Sequence, residues 1–185
     1  MPSGPGMIPE SLISEIAASV PPPVATFLLT SEIQPKKIIE QQRRCGTNTL
    51  QLCDHLPCSV HDQIREELPG IKLVQVVHVE NEESVKYAIS AADHVDALLL
   101  DSGNLSGSVK EFGGTGRTHD WNLSRQIRDN IPIPVFLAGG LNSANVARAI
   151  EAVEPFGIDL CSSVRTNNLL DIEKLETFFK AIPNQ

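Results

Sequence analysis

Aromatic residues are scarce, with one tryptophan, one tyrosine and six phenylalanines among 185 residues. That argues against a stacking platform for single-stranded nucleic acid. Positive charge is also short. Fifteen lysines and arginines stand against 23 aspartates and glutamates, giving a net charge of −8 and a pI near 5.1. A general nucleic-acid binder is not expected, and an anionic substrate would need local donors to attract it. No apolar run reaches the length of a membrane span. Met1 to Gly6 has neither a basic region nor an apolar core, so it does not read as a signal peptide. The four cysteines, Cys45, Cys53, Cys58 and Cys161, form no CxxC pair. Reduced thiols and a cytoplasmic location are the default expectation.

What is present is a repeat of one unit. Short apolar runs begin near residues 24, 49, 72, 97, 134 and 157, at spacings of 25, 23, 25, 37 and 23. Each is followed by a segment with helical periodicity. The expected strands are Val24–Leu29, Thr49–Cys53, Lys72–Val77, Ala97–Leu100, Pro134–Ala138 and Ile158–Cys161. Helices are expected over Glu10–Val20, Pro35–Arg44, Ser59–Leu68, Glu83–His94, Trp121–Asn130, Ala144–Val153 and Asp171–Ile182. Asp120 is the expected N-cap of the fifth, and Asn142 or Ser143 of the sixth. Regular βα alternation predicts a parallel sheet covered by helices, in a single domain over residues 1–185. A (β/α)8 barrel is its closed form and a doubly wound sheet its open one, and periodicity does not separate them.

The chain is organised around Ala97 to Trp121. A buried-type strand ends on Asp101, and an 18-residue loop, Ser102 to His119, holds five of the twelve glycines. Loops this long in compact domains are usually functional or disordered. Strand phase predicts that Asp101 points inward with Leu99, and Asp159 with Cys161, while Ile158 and Leu160 face the helices. Gly139-Gly140 joins a strand to a helix start, where backbone amides can bind an anion. Ser162-Ser163 follows the next strand, and together the two loops predict a phosphate site. Gly113 to Thr118 matches neither GxGxxG nor GxxxxGK[ST]. It reads as a lid, with Arg117 as an anion contact or a solvated charge. Cys53, His55, Cys58 and His61 lack the paired spacing of a zinc site, and no metal is expected.

LLLDS at 98–102, GGTGRTHDW at 113–121, PVFLAGGLNSANVARAI at 134–150 and GIDLCSSV at 157–164 resemble the phosphoribosylanthranilate isomerase family of tryptophan biosynthesis. LQLCD at 50–54 resembles that family's fourth strand. The resemblance implies a (β/α)8 TIM barrel and a cofactor-free Amadori (aldose–ketose) isomerisation of N-(5-phosphoribosyl)anthranilate. It implies that Asp101 is the general acid that protonates the ribose ring oxygen. Gly139, Gly140, Ser162 and Ser163 would hold the phosphate, and Asp159 would lie near the substrate's polar centre.

The chain also departs from the family pattern. The family's general base is a cysteine on its first strand, and MPSGPG looks like the loop after its second. The expectation is therefore a barrel lacking the first strand-helix-strand, with six strands present. SGPG stands where the family has a carboxylate-binding arginine. Cys53, Ser163 and Arg165 replace a histidine, a glycine and a glutamate. The chain alone is expected to be inactive, and either to self-associate through the open edges at Val24–Leu29 and Ile158–Cys161 or to stay poorly soluble. The alternatives are a non-catalytic phosphate-ligand-binding relative, or another phosphate-sugar isomerase or lyase on the same barrel.

Overall fold

The computed structural model describes residues 7–102 and 119–183. The chain divides into two compact units, Met1–Val76 with Asp93–Ala97, and Val77–Ala92 with Leu98–Gln185. Six parallel strands alternate with helices across them, as the repeat predicts.

The first unit contains α1 (Glu10–Ser19), β1 (Phe27–Thr30), α2 (Pro35–Cys45), β2 (Thr49–Leu52), α3 (Cys58–Glu67) and β3 (Lys72–His78) up to Val76. Pro35 opens α2, where its missing N–H costs nothing, and Gly46 closes it in the left-handed region at φ 68°. Strand β2 is buried along its whole length. Its pairing with β1 runs from Phe27 opposite Thr49 to Thr30 opposite Leu52. Gln75 on β3 satisfies the buried interior. Its amide nitrogen donates to the carbonyls of Leu52, Asp54 and Val76, and its oxygen pairs with His61 Nε2 at 2.8 Å. His61, weighed above with three neighbours as a metal ligand, is therefore a core hydrogen-bonding residue. No cluster of three metal-ligating side chains occurs among the described residues.

Strand β1 starts three residues later than expected. Thr26 instead exchanges hydrogen bonds with Asn48, its amide going to Asn48 Oδ1 and its Oγ1 accepting from the Asn48 amide. Leu28 and Thr30 are buried, while Phe27 and Leu29 keep 38% and 45% of their surface exposed. Beside them lies a groove of about 880 Å³, lined also by Ile13 and Ile16 of α1 and by Met7 and Ile8. Among the described residues β1 pairs only with β2.

The second unit contains the end of β3, α4 (Glu82–Ala92), β4 (Ala97–Asp101) from Leu98 on, α5 (Trp121–Asn130), β5 (Val135–Leu137), α6 (Val146–Val153), β6 (Gly157–Ile158) and α7 (Ile172–Lys180). All five residues of β4 are buried, as a strand covered on both faces requires. Leu98, Leu99 and Leu100 stand opposite Val135, Phe136 and Leu137. Asp120 caps α5, accepting from the Asn122 amide at 2.9 Å, as the sequence predicts. Gly157 permits a close approach, since a Cβ there would stand 2.9 Å from the Phe136 ring.

Three local expectations need correction. Strand β6 ends at Ile158, not Cys161, so alternation does not carry onward and Cys161 is exposed rather than turned inward. Helix α6 begins at Val146, two residues late, because Asn142 and Asn145 organise the turn before it. A hairpin of β7 (Arg165–Thr166) and β8 (Leu169–Leu170) follows the sixth strand and was not anticipated. Its turn residues, Asn167 and Asn168, both have positive φ, 50° and 64°. That is the backbone a two-residue turn between antiparallel strands demands, and asparagine tolerates it.

Candidate active site

The C-terminal ends of β4, β5 and β6 bring the site residues of the second unit together. Asp101 closes β4 with its side chain buried. Its backbone is fixed on both sides of the strand end. Its carbonyl accepts from the Val79 amide at 2.9 Å, and the neighbouring Leu100 carbonyl accepts from Ala138 at 2.7 Å. The Ser102 amide donates to Asp101 Oδ1 at 2.7 Å. Burial pushes the Asp101 carboxyl above the ordinary range, and the Ser102 amide and the charge of His78 pull part of the way back.

Asp159 lies one residue past β6, its amide donating to the Leu137 carbonyl at 2.8 Å. Water reaches its side chain, yet the surrounding protein displaces enough solvent to raise its carboxyl as well. Surface exposure measures contact with water, whereas the shift follows the amount of nearby protein. The charge of Asp101 raises Asp159 further. Two carboxyls that share one region and both resist ionisation are suited to hold and deliver a proton. The structure thus couples Asp101 and Asp159 electrostatically, although Asp159 is exposed and lies past the end of β6, where alternation no longer sets its direction.

Gly139 and Gly140 form the turn after β5, both with positive φ, 84° and 64°. Their amides donate to no group among the described residues. Asparagines hold the turn before α6: Asn142 Oδ1 accepts from the Ala144 amide at 2.9 Å and Asn145 Oδ1 from the Asn142 amide at 2.8 Å, while the Asn145 side chain makes no cap hydrogen bond to the helix itself. The two side-chain amides then donate to the Gly140 carbonyl, at 3.2 Å from Asn142 and 3.0 Å from Asn145. The asparagines thus clamp the glycine turn through that carbonyl. Asn142 was expected only as a helix cap. Its second role, and that of Asn145, depends on a turn geometry that spacing does not encode.

Ser162 and Ser163 open a single 3₁₀ turn, Ser162–Val164. Ser162 is exposed, whereas the Ser163 hydroxyl is buried with no partner. A buried hydroxyl of this kind suits a ligand oxygen. Arg117 lies outside the described residues. His78, at the end of β3, is buried and acts on Asp101 through its charge. Its position was legible at a strand end, but its charge effect on the acid was not.

His119 precedes α5 and supports it from below, with Nε2 and Ser124 Oγ 2.6 Å apart. Burial holds its pKa down to about 4. In the unfolded chain it titrates near the usual histidine value of ~6.5. Between these values only the unfolded chain takes the proton, so stability falls as pH drops from the upper value to the lower. At pH 5 the loss from His119 is at most about 2 kcal/mol, less after solvent screening of a partly exposed ring. Melting curves at pH 7 and pH 5 should show this drop, and His119→Gln should shrink it. An equal drop in the variant would assign the acid sensitivity elsewhere, with His61, also lowered by burial, as the next group to replace.

No described helix is long and apolar enough to cross a membrane. The family model for N-(5'-phosphoribosyl)anthranilate isomerase matches residues 13–181. The isomerase of Methanocella arvoryzae is 36% identical over 149 residues, which cover 80% of this chain and 68% of that protein. The chain spans about two thirds of the length of the curated relatives, 68% and 66% for two of them. The crystal structure of the Thermotoga maritima enzyme has a TM-score of 0.80 at 27% identity, covering 97% of this chain and 83% of that one. An isomerase solved with reduced 1-(o-carboxyphenylamino)-1-deoxyribulose 5-phosphate has a TM-score of 0.77 at 25% identity, covering 97% and 82%. The six parallel strands are therefore of TIM-barrel type. With an acid at the end of β4 and a glycine turn after β5, the chain belongs to the N-(5'-phosphoribosyl)anthranilate isomerase family of tryptophan biosynthesis.

Proposed function

We propose that this chain carries the acid and the phosphate site of the Amadori rearrangement of N-(5'-phosphoribosyl)anthranilate. The observation that supports this most is the pair Asp101 and Asp159, both raised, beside a glycine turn whose two amides donate to no group among the described residues. In this reading the phosphate rests on the amides of Gly139 and Gly140 and the hydroxyl of Ser163, with Ser162 alongside. Arg117 would add an anion contact from the loop. Anchoring the phosphate at C5 brings the ring oxygen toward Asp101.

Asp101 gives its proton to the ring oxygen as the bond from that oxygen to C1 breaks. The aniline nitrogen supplies the electron pair, forming a protonated imine. Loss of the C2 proton then gives the enolamine, which tautomerises to the ketose. Removal of that C2 proton is assigned to no residue of this chain. A raised acid is useful only for chemistry, which favours this reading over a purely phosphate-binding relative.

Calorimetry with the reduced carboxyphenylamino-deoxyribulose phosphate tests the site. Saturable binding that inorganic phosphate competes away is expected, and no saturable binding would sink the assignment. In a steady-state assay with phosphoribosylanthranilate, turnover is expected to fall short of a base-containing family member by roughly 10² to 10⁴. Near-normal turnover would mean that the base lies within this chain.

The apolar groove beside β1 supports self-association on that side, where Phe27 and Leu29 are exposed. Light scattering coupled to size-exclusion chromatography should show a mass that rises with concentration. A monomer throughout would show that the edge is protected.

A further inference from the structure

The end of β4 and the turn after β5 meet at one contact for which the proposed reaction has no use. Ser102 directly follows Asp101, and its amide is the one donor to that carboxylate among the described residues. Its side chain packs on Gly139. A Cβ at position 139 would stand 2.8 Å from Ser102 N, 2.8 Å from its Oγ and 2.9 Å from its Cβ. Real Cβ atoms do not approach that closely, so Ser102 and a glycine at 139 are a matched pair. The Ser102 hydroxyl is buried and makes no hydrogen bond among the described residues. It lies near enough to Asp101 to favour its ionised form slightly, but not in hydrogen-bond geometry. A buried hydroxyl without a partner opposes folding. Its place is explained if the side chain serves as a spacer.

We propose that Ser102 is a positioning residue for the acid: wedged between the Asp101 carboxyl and Gly139, its Cβ holds its own amide on Asp101 Oδ1 and ties the acid to the anion-binding turn. This rests on Asp101 being the acid. The charged groups acting on Asp101 are His78 from the end of β3 and Asp159 after β6. Neither replaces the directional bond from the Ser102 amide. If the spacer is lost, the amide drifts, burial is less opposed, and the carboxyl holds its proton to higher pH. The turn loses support at the same time, so anion binding weakens through the same contact.

The test is the titration of Asp101, followed by the ¹³C signal of its carboxyl, with inorganic phosphate binding measured by calorimetry. Ser102→Gly should raise the midpoint by more than about half a pH unit and weaken phosphate by at least about threefold. Ser102→Ala keeps the Cβ and should keep wild-type phosphate binding, with a rise of the midpoint well below that of Ser102→Gly, set by loss of the hydroxyl alone. A purely structural role would lower the melting temperature of Ser102→Gly and leave the midpoint in place, and that result overturns the proposal. An equal shift in Ser102→Ala also overturns it, because the hydroxyl and not the spacer would then be responsible. If Ser102→Gly does not fold, Ser102→Thr adds a methyl group to the closed contact and should displace the amide, again raising the midpoint. An unchanged midpoint there counts against the wedge. If the wild type binds no phosphate, the anion site fails by itself, and the midpoint shift alone still decides the role of Ser102.

Discussion

Asp101→Asn should raise the melting temperature by a few degrees at pH 7 while removing catalysis. The direction follows from the titration of the acid. In the unfolded chain Asp101 ionises near the ordinary aspartate value of 3.8, whereas in the folded chain burial holds its proton to higher pH. A raised carboxyl favours folding below its unfolded value, and that contribution is lost as pH rises through its folded value. At pH 7 the buried carboxylate therefore costs stability, and the neutral amide does not. Asparagine keeps an oxygen for the Ser102 amide, so the fold has no other reason to object. It also relieves Asp159, which Asp101 holds up by repulsion. The gain should shrink toward zero below about pH 4. Such a trade between stability and function is common where an acid must sit in a dehydrated site. In any preparation with measurable turnover, kcat should fall by roughly 10² to 10⁴, with binding of the reduced product analogue nearly unchanged. If Asp101→Asn melts lower at pH 7, the side chain is a structural anchor and not a strained acid. If binding falls by the same factor as turnover, Asp101 holds ligand and does not donate a proton.

Gly139→Ala should be the most damaging single methyl in the molecule, for two separate reasons. At φ 84° an alanine occupies a region that L side chains rarely adopt. The new Cβ also meets Ser102, including its backbone nitrogen at 2.8 Å, and backbone cannot swing aside as a side-chain tip can. Strain and overpacking together should cost on the order of 2–4 kcal/mol. For a chain of this size that is a fall of about 5–15 °C in melting temperature. Phosphate binding should weaken at least about tenfold, since relief of the clash must move the amides that hold the anion. Gly46→Ala is the control. Its φ is 68°, and no atom lies within 4 Å of a Cβ placed there. It should therefore show the backbone penalty alone, with anion binding intact. Equal melting losses in the two variants would mean that the contact with Ser102 carries no weight.

The sequence by itself determined the alternation of six strands and their helices, the carboxylate at the end of β4, and the glycine turn after β5. These are local facts. A strand buried on both faces requires a continuous apolar run, a helix requires its own period, and each repeats along the chain whatever packs against it. The position of Asp101 could be read for the same reason, because it is the first polar residue after Ala97 to Leu100. The asparagine turn between β7 and β8 was also written locally, in two adjacent residues suited to positive φ, although such short strands carry too little pattern to announce themselves. Only the tertiary structure decided that Asp159 shares its field with Asp101, that the charge of His78 acts on the acid, and that Asn142 and Asn145 clamp the Gly140 carbonyl. Strand phase misplaced Cys161, because alternation holds only while a strand is paired and β6 stops at Ile158. The contact of Ser102 with Gly139 joins two strand ends far apart in the chain, and its distance is set by how β4 packs on β5. Burial, close approach and the electric field around a carboxyl are sums over neighbours that folding alone brings within reach.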